Sequence, residues 1–297
     1  RALSIYMIGV TLGSGFAYML GGAVVGYVEN ISAIQVPIVG EMEGWQLTFF
    51  IVGIPGLLVS LLMMVSVREP PRKGVVASTE IPLREVMDYI WARRKAYFGH
   101  ILGLSIFIMV VYALNLWGPT YFIRTFGYSR PEAGWIFGLV MIGAGTAGLL
   151  IAGTISDKLL ASGVEDAYVR MILFSMLAIL PCAGSLGYIS DDRVAIVFMS
   201  LAVFFSAFQG GLSAGTLQLM TPNRMRGQVT ALYMLATNLI GLGLGPTVIA
   251  LTTDYVFGYD AAIGKSISLC SVIVCPIGAI ILWRSMPAIR KQLAEQK

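Results

Sequence analysis

The chain has 297 residues, of which 57% are hydrophobic and only 12% charged, with a net charge of +4 at pH 7. A water-soluble domain carries about 25% charged residues, so this composition excludes an ordinary solvated surface and, with it, a basic nucleic-acid-binding domain. Asp, Glu, Lys and Arg fall almost wholly between apolar runs, each long enough for the roughly 20 residues that a bilayer crossing needs.

In chain order the runs predict spans near 3–28, 46–67, 98–123, 133–155, 168–189, 194–219, 228–252 and 266–284. In the first, Gly9 and Gly13, and Gly22 and Gly26, form GxxxG pairs that let helices approach closely. Thr11, Ser14 and Tyr18 share one of its faces. An acidic loop, 29–43, leads to the second span. The longest polar break, 68–97, follows. Within it Leu83, Val86, Met87, Ile90 and Trp91 fall on one face, with Arg84, Arg93 and Arg94 elsewhere, Ser78 or Thr79 as a cap and Pro82 in the first turn. This is either a short amphipathic helix lying on the membrane surface or an ordinary linker.

The third span carries Ser105, Tyr112 and Asn115 on one face and is expected to break at Trp117-Gly118-Pro119, because proline removes a backbone donor. In the fourth, Ala144, Gly148 and Ala152 make a strip of small residues, and Gly153-Thr-Ile-Ser-Asp157-Lys158 closes it. In the sixth, Ser206, Gln209, Ser213 and Thr216 recur at helical spacing, and Gly211 and Gly215 form another small pair. The seventh holds Asn238 and a second candidate bend at Gly245-Pro246.

Hydroxyls and amides cost free energy against lipid tails unless they find partners. Such stripes face either a wet cavity or a neighbouring helix. Tyr112, Asn115, Gln209, Ser213, Thr216 and Asn238 are the candidates for lining a substrate cavity. No Asp, Glu, Lys or Arg sits mid-span; His100, at the entry of the third, reads as interfacial packing or as a proton-handling group. Cys182, Cys270 and Cys275 lie in apolar runs without metal-ligand spacing. Neither a metal nor a cofactor is expected, and no catalytic fingerprint is present, so an enzyme is not expected.

Lys and Arg mark the cytoplasmic loops of membrane proteins. Sixteen of the 20 lie on one side, among them Arg68, Arg84, Arg93, Arg94, Lys95, Lys158, Arg224, Arg226, Arg290 and Lys291; Arg124, Arg130, Arg193 and Lys265 lie on the other. Both termini are therefore expected to be cytoplasmic. Asp157 then falls on the same side as the start of the seventh span. There a helix N-terminus favours an aspartate and Arg224 or Arg226 offers a direct pair. Gly153, Asp157, Lys158, Arg224 and Arg226 are candidates for a cytoplasmic gate. Gly9, Gly13, Gly22, Gly26, Gly118, Pro119, Gly245 and Pro246 are candidates for packing or hinge positions.

The first and seventh spans resemble each other: Arg1 precedes Tyr6-Met7 and a Gly-rich run, as Arg226 precedes Tyr233-Met234 and Gly241, Gly243 and Gly245. A parallel repeat of six-helix halves accounts for this, and with the absence of an initial Met it leads to the expectation that four helices precede Arg1. On Gly153–Lys158, Gly44-Trp45-Gln-Leu-Thr-Phe49, Glu69-Pro70-Pro71-Arg72, Pro222-Asn-Arg224-Met-Arg226-Gly227-Gln228 and Thr253-Asp254-Tyr255-Val256-Phe257, the chain resembles the major facilitator superfamily, most of all its bacterial spinster branch. That resemblance implies an all-α polytopic fold of two six-helix bundles, with about eight of twelve helices present. Residues 1–67 would close the N-terminal bundle, 68–97 form a cytoplasmic linker, and 98–297 form the C-terminal bundle and a short tail.

The resemblance further implies a monomeric secondary transporter of the inner membrane, working by alternating access on an amphiphilic, lysolipid- or sphingoid-like substrate, with proton coupling. A sugar-acid or other organic-anion symporter, a multidrug efflux transporter, a non-transporting receptor and an inactive fragment stay open as alternatives.

Overall fold

In hydrocarbon every backbone polar group must be satisfied within its own segment, and the long apolar runs accordingly fold as helices. The computed structural model describes residues 2–29, 31, 34–36, 40–67 and 81–296. Eight of its helical segments are long and apolar enough to cross a membrane. Arg1, the Glu69–Arg72 motif and the Ser78 or Thr79 cap lie outside the described residues.

The first span is α1 (Ala2–Val28) and the second α2 (Gly44–Ser66). Between them two short strands, β1 (Ile34–Val36) and β2 (Gly40–Met42), pair antiparallel with Gln35 opposite Glu41. This hairpin was not legible in the acidic loop. It starts β2 at Gly40 with φ +91°, a backbone region that is cheap only for glycine. Helix α3 (Leu83–Ala92) is the surface helix of the linker, and α4 (Arg94–Phe126) the third span. The fourth is α5 (Arg130–Val140), a π-helical stretch Met141–Gly145 and α6 (Thr146–Ala161). The fifth is α7 (Ala167–Ser185); the sixth is split into α8 (Asp192–Ser206) and α9 (Gln209–Met220). The seventh joins α10 (Arg226–Thr237) through a second π stretch, Asn238–Leu242, to α11 (Gly243–Leu251), and a third π stretch, Thr252–Phe257, ends it. The eighth is α12 (Ile263–Glu295).

Two element ends differ from expectation. Helix α12 runs well past 284, because Met286, Ile289, Gln292 and Leu293 recur at helical spacing and are buried. Helix α4 does not break at Trp117-Gly118-Pro119 but continues to Phe126 and stops at Gly127. Proline at 119 leaves the carbonyl of Asn115 without its helical donor. The Tyr18 hydroxyl of α1 donates to that carbonyl at 2.7 Å, so the helix passes the proline with the orphaned group satisfied. Gly118 leaves room for the Phe137 ring of α5.

The core is built on α4, α7 and α12, with Tyr97, Phe107, Tyr121, Phe122, Ile172 and Met176 wholly buried. Gly103 and Gly278 meet where α4 and α12 cross; a Cβ added at Gly278 would stand 2.9 Å from the Gly103 carbonyl oxygen. Asp166, just before α7, is buried and accepts from Arg170 at 2.8 Å and from Arg290 of α12 at 2.6 Å. On the opposite side the Tyr128 hydroxyl donates to Asp192 at 2.6 Å, and that carboxylate holds the phenol above its ordinary pKa. The three cysteines are free and buried. Helix α2 has no buried residue, and its apolar side chains are exposed along its length.

Candidate functional site

Three of the spanning segments depart from α geometry at similar depth. Between α8 and α9 the backbone tightens into bonds that span three residues, Phe208 N–H to the Phe205 carbonyl and Gly210 N–H to that of Ala207. Phe204, Phe205 and Phe208 cluster here with centroids 5.1–5.7 Å apart, and the Phe204 backbone lies against Gly148, where a side chain would collide. The π stretch Met141–Gly145 is the second departure and Asn238–Leu242 the third. Irregular backbone at membrane depth is tolerated where it is buried in protein or lines a cavity, and π stretches cluster at functional sites.

A cavity of about 250 Å³ lies at the first two of these departures. Thr11 and Ser14 of α1, Tyr112 and Asn115 of α4, Met141 and Gly145 of the π stretch, and Ser206, Ala207, Gln209 and Gly210 around the α8/α9 break line it, with Val10, Val111, Leu149 and Val203 as its apolar walls. None of the lining residues is charged. Tyr112 also donates to the Asn238 side chain at 3.4 Å, which brings the third departure to the cavity edge. The α1 side is held by a Thr11–Thr146 hydroxyl pair at 2.9 Å and by the Tyr18–Asn115 bond.

Of the expected cavity residues, Tyr112, Asn115 and Gln209 thus come together, with Asn238 beside them. Ser213 and Thr216 do not: both are buried, Thr216 bonds the Leu212 carbonyl, and the Ser213 carbonyl faces His100. A shared face does not give a shared depth: at 1.5 Å per residue Ser213 and Thr216 stand about 6 and 10 Å further along the axis than Gln209. Ser105, grouped with Tyr112 and Asn115, is buried and bonds the Ile101 carbonyl. His100 is neither interfacial nor solvated. It is fully buried, with Nε2 3.1 Å from the Ser213 carbonyl oxygen and Nδ1 without a hydrogen-bond partner.

The gate candidates are also redistributed. Arg224 pairs with Glu85 of α3 at 3.2 Å, and Arg226 donates to the Thr221 carbonyl at 3.1 Å. Asp157 accepts from Tyr168 at 3.4 Å, Gly153 is buried, and Lys158 is exposed. Helix α3 is therefore clamped to the start of the seventh span, where Gln228 also donates to the Ile81 carbonyl at 2.9 Å. It is clamped to α12 as well, through Gln292 and Tyr89 at 2.9 Å. Its Val86 and Ile90 are buried, while Leu83, Met87 and Trp91 of the same face are exposed.

Among the glycines, Gly22 and Gly26 pack on α5: Gly22 meets Arg130 and Gly134, and Gly26 meets the Pro131 ring. A Cβ at Gly134 would stand 2.6 Å from the Tyr18 carbonyl oxygen, and one at Gly138 2.6 Å from that of Gly15. Gly15, Gly134 and Gly138 were missed, although Gly134-x-x-x-Gly138 carried the same spacing signal. Gly9 and Gly13 are a correction: nothing among the described residues lies within 4 Å of where their side chains would start. Gly245 packs on the Met109 backbone, and Trp117 donates from its indole to the Pro246 carbonyl at 3.0 Å, so the two expected bend points touch.

A family model described as Major Facilitator Superfamily matches residues 1–246. The chain belongs to the Major Facilitator Superfamily. It is 23% identical over 267 residues to an MFS-type efflux pump of Mycolicibacterium smegmatis, an alignment covering 87% of this chain and 60% of that protein. It is likewise 23% identical over 238 residues to the probable galactarate/D-glucarate transporter GudP of Bacillus subtilis, covering 73% of this chain and 50% of the relative. The chain thus spans between half and two thirds of the length of these two superfamily members. It also superposes on a crystal structure of a bacterial homologue of the human lysosomal transporter spinster, in an inward-facing and occupied conformation. The TM-score is 0.71 at 21% identity, with 98% of this chain and 70% of that one covered. The family match and the superposition agree on a multi-pass, all-helical membrane fold.

Proposed function

We propose that the complete protein is a secondary active transporter working by alternating access, and that the cavity at Tyr112, Asn115 and Gln209 is its part of the substrate path. The observation that carries this reading is the coincidence of the cavity with two breaks in α geometry, where a substrate meets backbone groups that regular helices hide. The uncharged lining favours an amphiphilic, lipid-like substrate of the lysolipid or sphingoid type. A sugar diacid such as the relative GudP is named for would have to find its cations elsewhere along the path.

In this reading the chain corresponds to the fifth to twelfth helices of a twelve-helix spinster-like transporter, monomeric, in the inner (plasma) membrane, with both termini cytoplasmic. Residues 1–67 and 98–297 belong to opposite bundles. The glycine contacts of α1 with α5, together with the Glu29–Arg130 pair at 3.3 Å, seal the side away from the Arg-rich ends. A state sealed on that side is inward-facing, as is the solved spinster homologue on which the chain superposes. An Asp157 latch to the seventh span belongs to the opposite state. His100 is the titratable group best placed for proton handling, being buried with a free ring nitrogen.

The test is flux in proteoliposomes holding the complete protein, with labelled lysophosphatidylcholine and D-glucarate as competing candidates. Lysolipid flux that falls in Asn115→Leu supports the proposal. Glucarate flux alone sinks the amphiphile reading, and saturable binding without flux of either sinks the transport reading in favour of a receptor.

A further inference from the structure

At the Arg-rich end of the molecule the chain turns from α3 into α4, and the end of α12 packs beside that turn. A cavity of about 480 Å³ lies in the corner, lined by Arg93, Arg94, Lys95, Lys291, Gln292 and Glu295 together with the small side chains of three alanines. Four of its residues are cationic and one is acidic. Among the described residues an ion pair reaches one of these cations: Arg93 Nε stands 3.9 Å from the Glu295 carboxylate. The Arg93 guanidinium also lies over the Tyr89 ring at 4.0 Å, and its Nε, buried from solvent, has no hydrogen-bond partner among the described residues. Arg94, Lys95 and Lys291 are exposed.

What lies beneath the cations decides the kind of anion. Arg94, Phe98 and Leu102 follow one another at four-residue spacing on one face of α4, and Phe98 and Leu102 are exposed. On α12, Lys291, Pro287 and Trp283 follow the same spacing, and Trp283 and Ile280 are exposed. Trp91 of α3 lies edge-on to Phe98 with centroids 6.0 Å apart. Each helix thus shows a cation at its end and bare apolar side chains one and two turns further in. That is the order of a phospholipid, charge at the surface and chains below, and aromatic residues at this level mark the membrane interface. Basic pockets between spanning helices are known to take acidic lipid head groups.

We propose that this corner is a binding site for the phosphate head group of an anionic membrane phospholipid, held by Arg93, Arg94, Lys95 and Lys291 with its chains along Phe98 and Leu102. The site lies at the membrane surface, outside the central cavity, and does not depend on the transport reading. Because α3 is tied to the seventh span through Glu85 and Arg224 and to α12 through Tyr89 and Gln292, an occupied corner fixes the linker against the bundle.

The experiment is native mass spectrometry of the complete protein in neutral detergent, titrated with phosphatidylglycerol, phosphatidylcholine or inorganic phosphate. The expected result is retention of one phosphatidylglycerol in preference to phosphatidylcholine, weakened about thirtyfold in Arg94→Gln/Lys291→Gln, as loss of two interfacial cations predicts. The charge-matched Arg84→Gln/Arg284→Gln, whose residues do not line the corner, should retain the lipid. Should the first pair fail to fold, Lys95→Gln alone gives the same comparison. Equal retention by all variants, or equal losses in both pairs, overturns the site. Binding of inorganic phosphate as tight as that of the lipid, with no lipid preference, overturns the lipid assignment and leaves a free-phosphate site.

Discussion

Tyr18 and Asn115 illustrate how one side chain allows another to be polar inside a membrane. Pro119 strips the Asn115 carbonyl of its helical donor, and the Tyr18 hydroxyl replaces it across the helix interface. Tyr18→Phe should lower stability by about 1 kcal/mol, the scale of an interhelical bond in a membrane, read as a lower unfolding midpoint in detergent with overall helicity unchanged. An unaltered midpoint would mean that water already serves that carbonyl. Cavity residues divide in the same way. Gln209→Leu should depress substrate binding severalfold, whereas Thr216→Ala should leave it unchanged, since Thr216 bonds its own helix; ligand titration of the two variants separates them. From the sequence alone both residues belonged to one stripe. Helical spacing encodes a shared face but not how far along it the cavity extends, and Thr216 stands about 10 Å beyond Gln209 at 1.5 Å per residue. His100 was legible as a titratable group near a span end, but its full burial depends on Tyr233 and the Ser213 carbonyl, which only the tertiary packing brings to it.

At the scale of elements, α1 and α5 approach along glycines, and the buried Asp166 ties α7 to α12. Gly138→Leu should force α1 away from α5, because a side chain there meets the Gly15 carbonyl and Met19; Gly9→Leu should leave the α1–α5 contact intact, since no described residue stands where its side chain would start. Comparing expression and unfolding midpoint of the two variants checks the contrast, and equal damage would overturn it. Asp166→Asn should cost about 2 kcal/mol. That is less than the 3–5 kcal/mol typical of a fully buried pair, because Arg170 and Arg290 are each about half exposed. Its thermal unfolding midpoint is the measurement. The GxxxG spacing in the sequence announced that close approach was permitted. It did not name the partner, and it marked Gly9–Gly13 and Gly22–Gly26 alike, though only the second pair meets α5. Asp166 was passed over because nothing in a single sequence pairs residues 166 and 290.

For the molecule as a whole, the eight spans and the surface position of α3 follow from hydrophobic patterning alone, since lipid leaves the backbone no alternative to helix. The conformation does not, because it is set by which ends of α1 touch α5. Glu29→Cys/Arg130→Cys in the complete protein should be bridged by a short, reducible bis-methanethiosulfonate reagent that spans the two removed side chains, halting flux until reduced, as expected of a closed side that must part during the cycle. Cross-linking without effect on flux would remove this pair from the cycle. The three π stretches bear on the chain in a further way. Each is an α-helix carrying one residue more than its turn requires, so what lies beyond it is rotated by about 100° from where an unbroken count of 3.6 per turn would put it. Asn238–Leu242 therefore sets the azimuth of Pro246, and with it the carbonyl that meets Trp117. Removing one residue there would keep the span long enough to cross a bilayer, yet would turn its outer half to show a different set of side chains to the bundle.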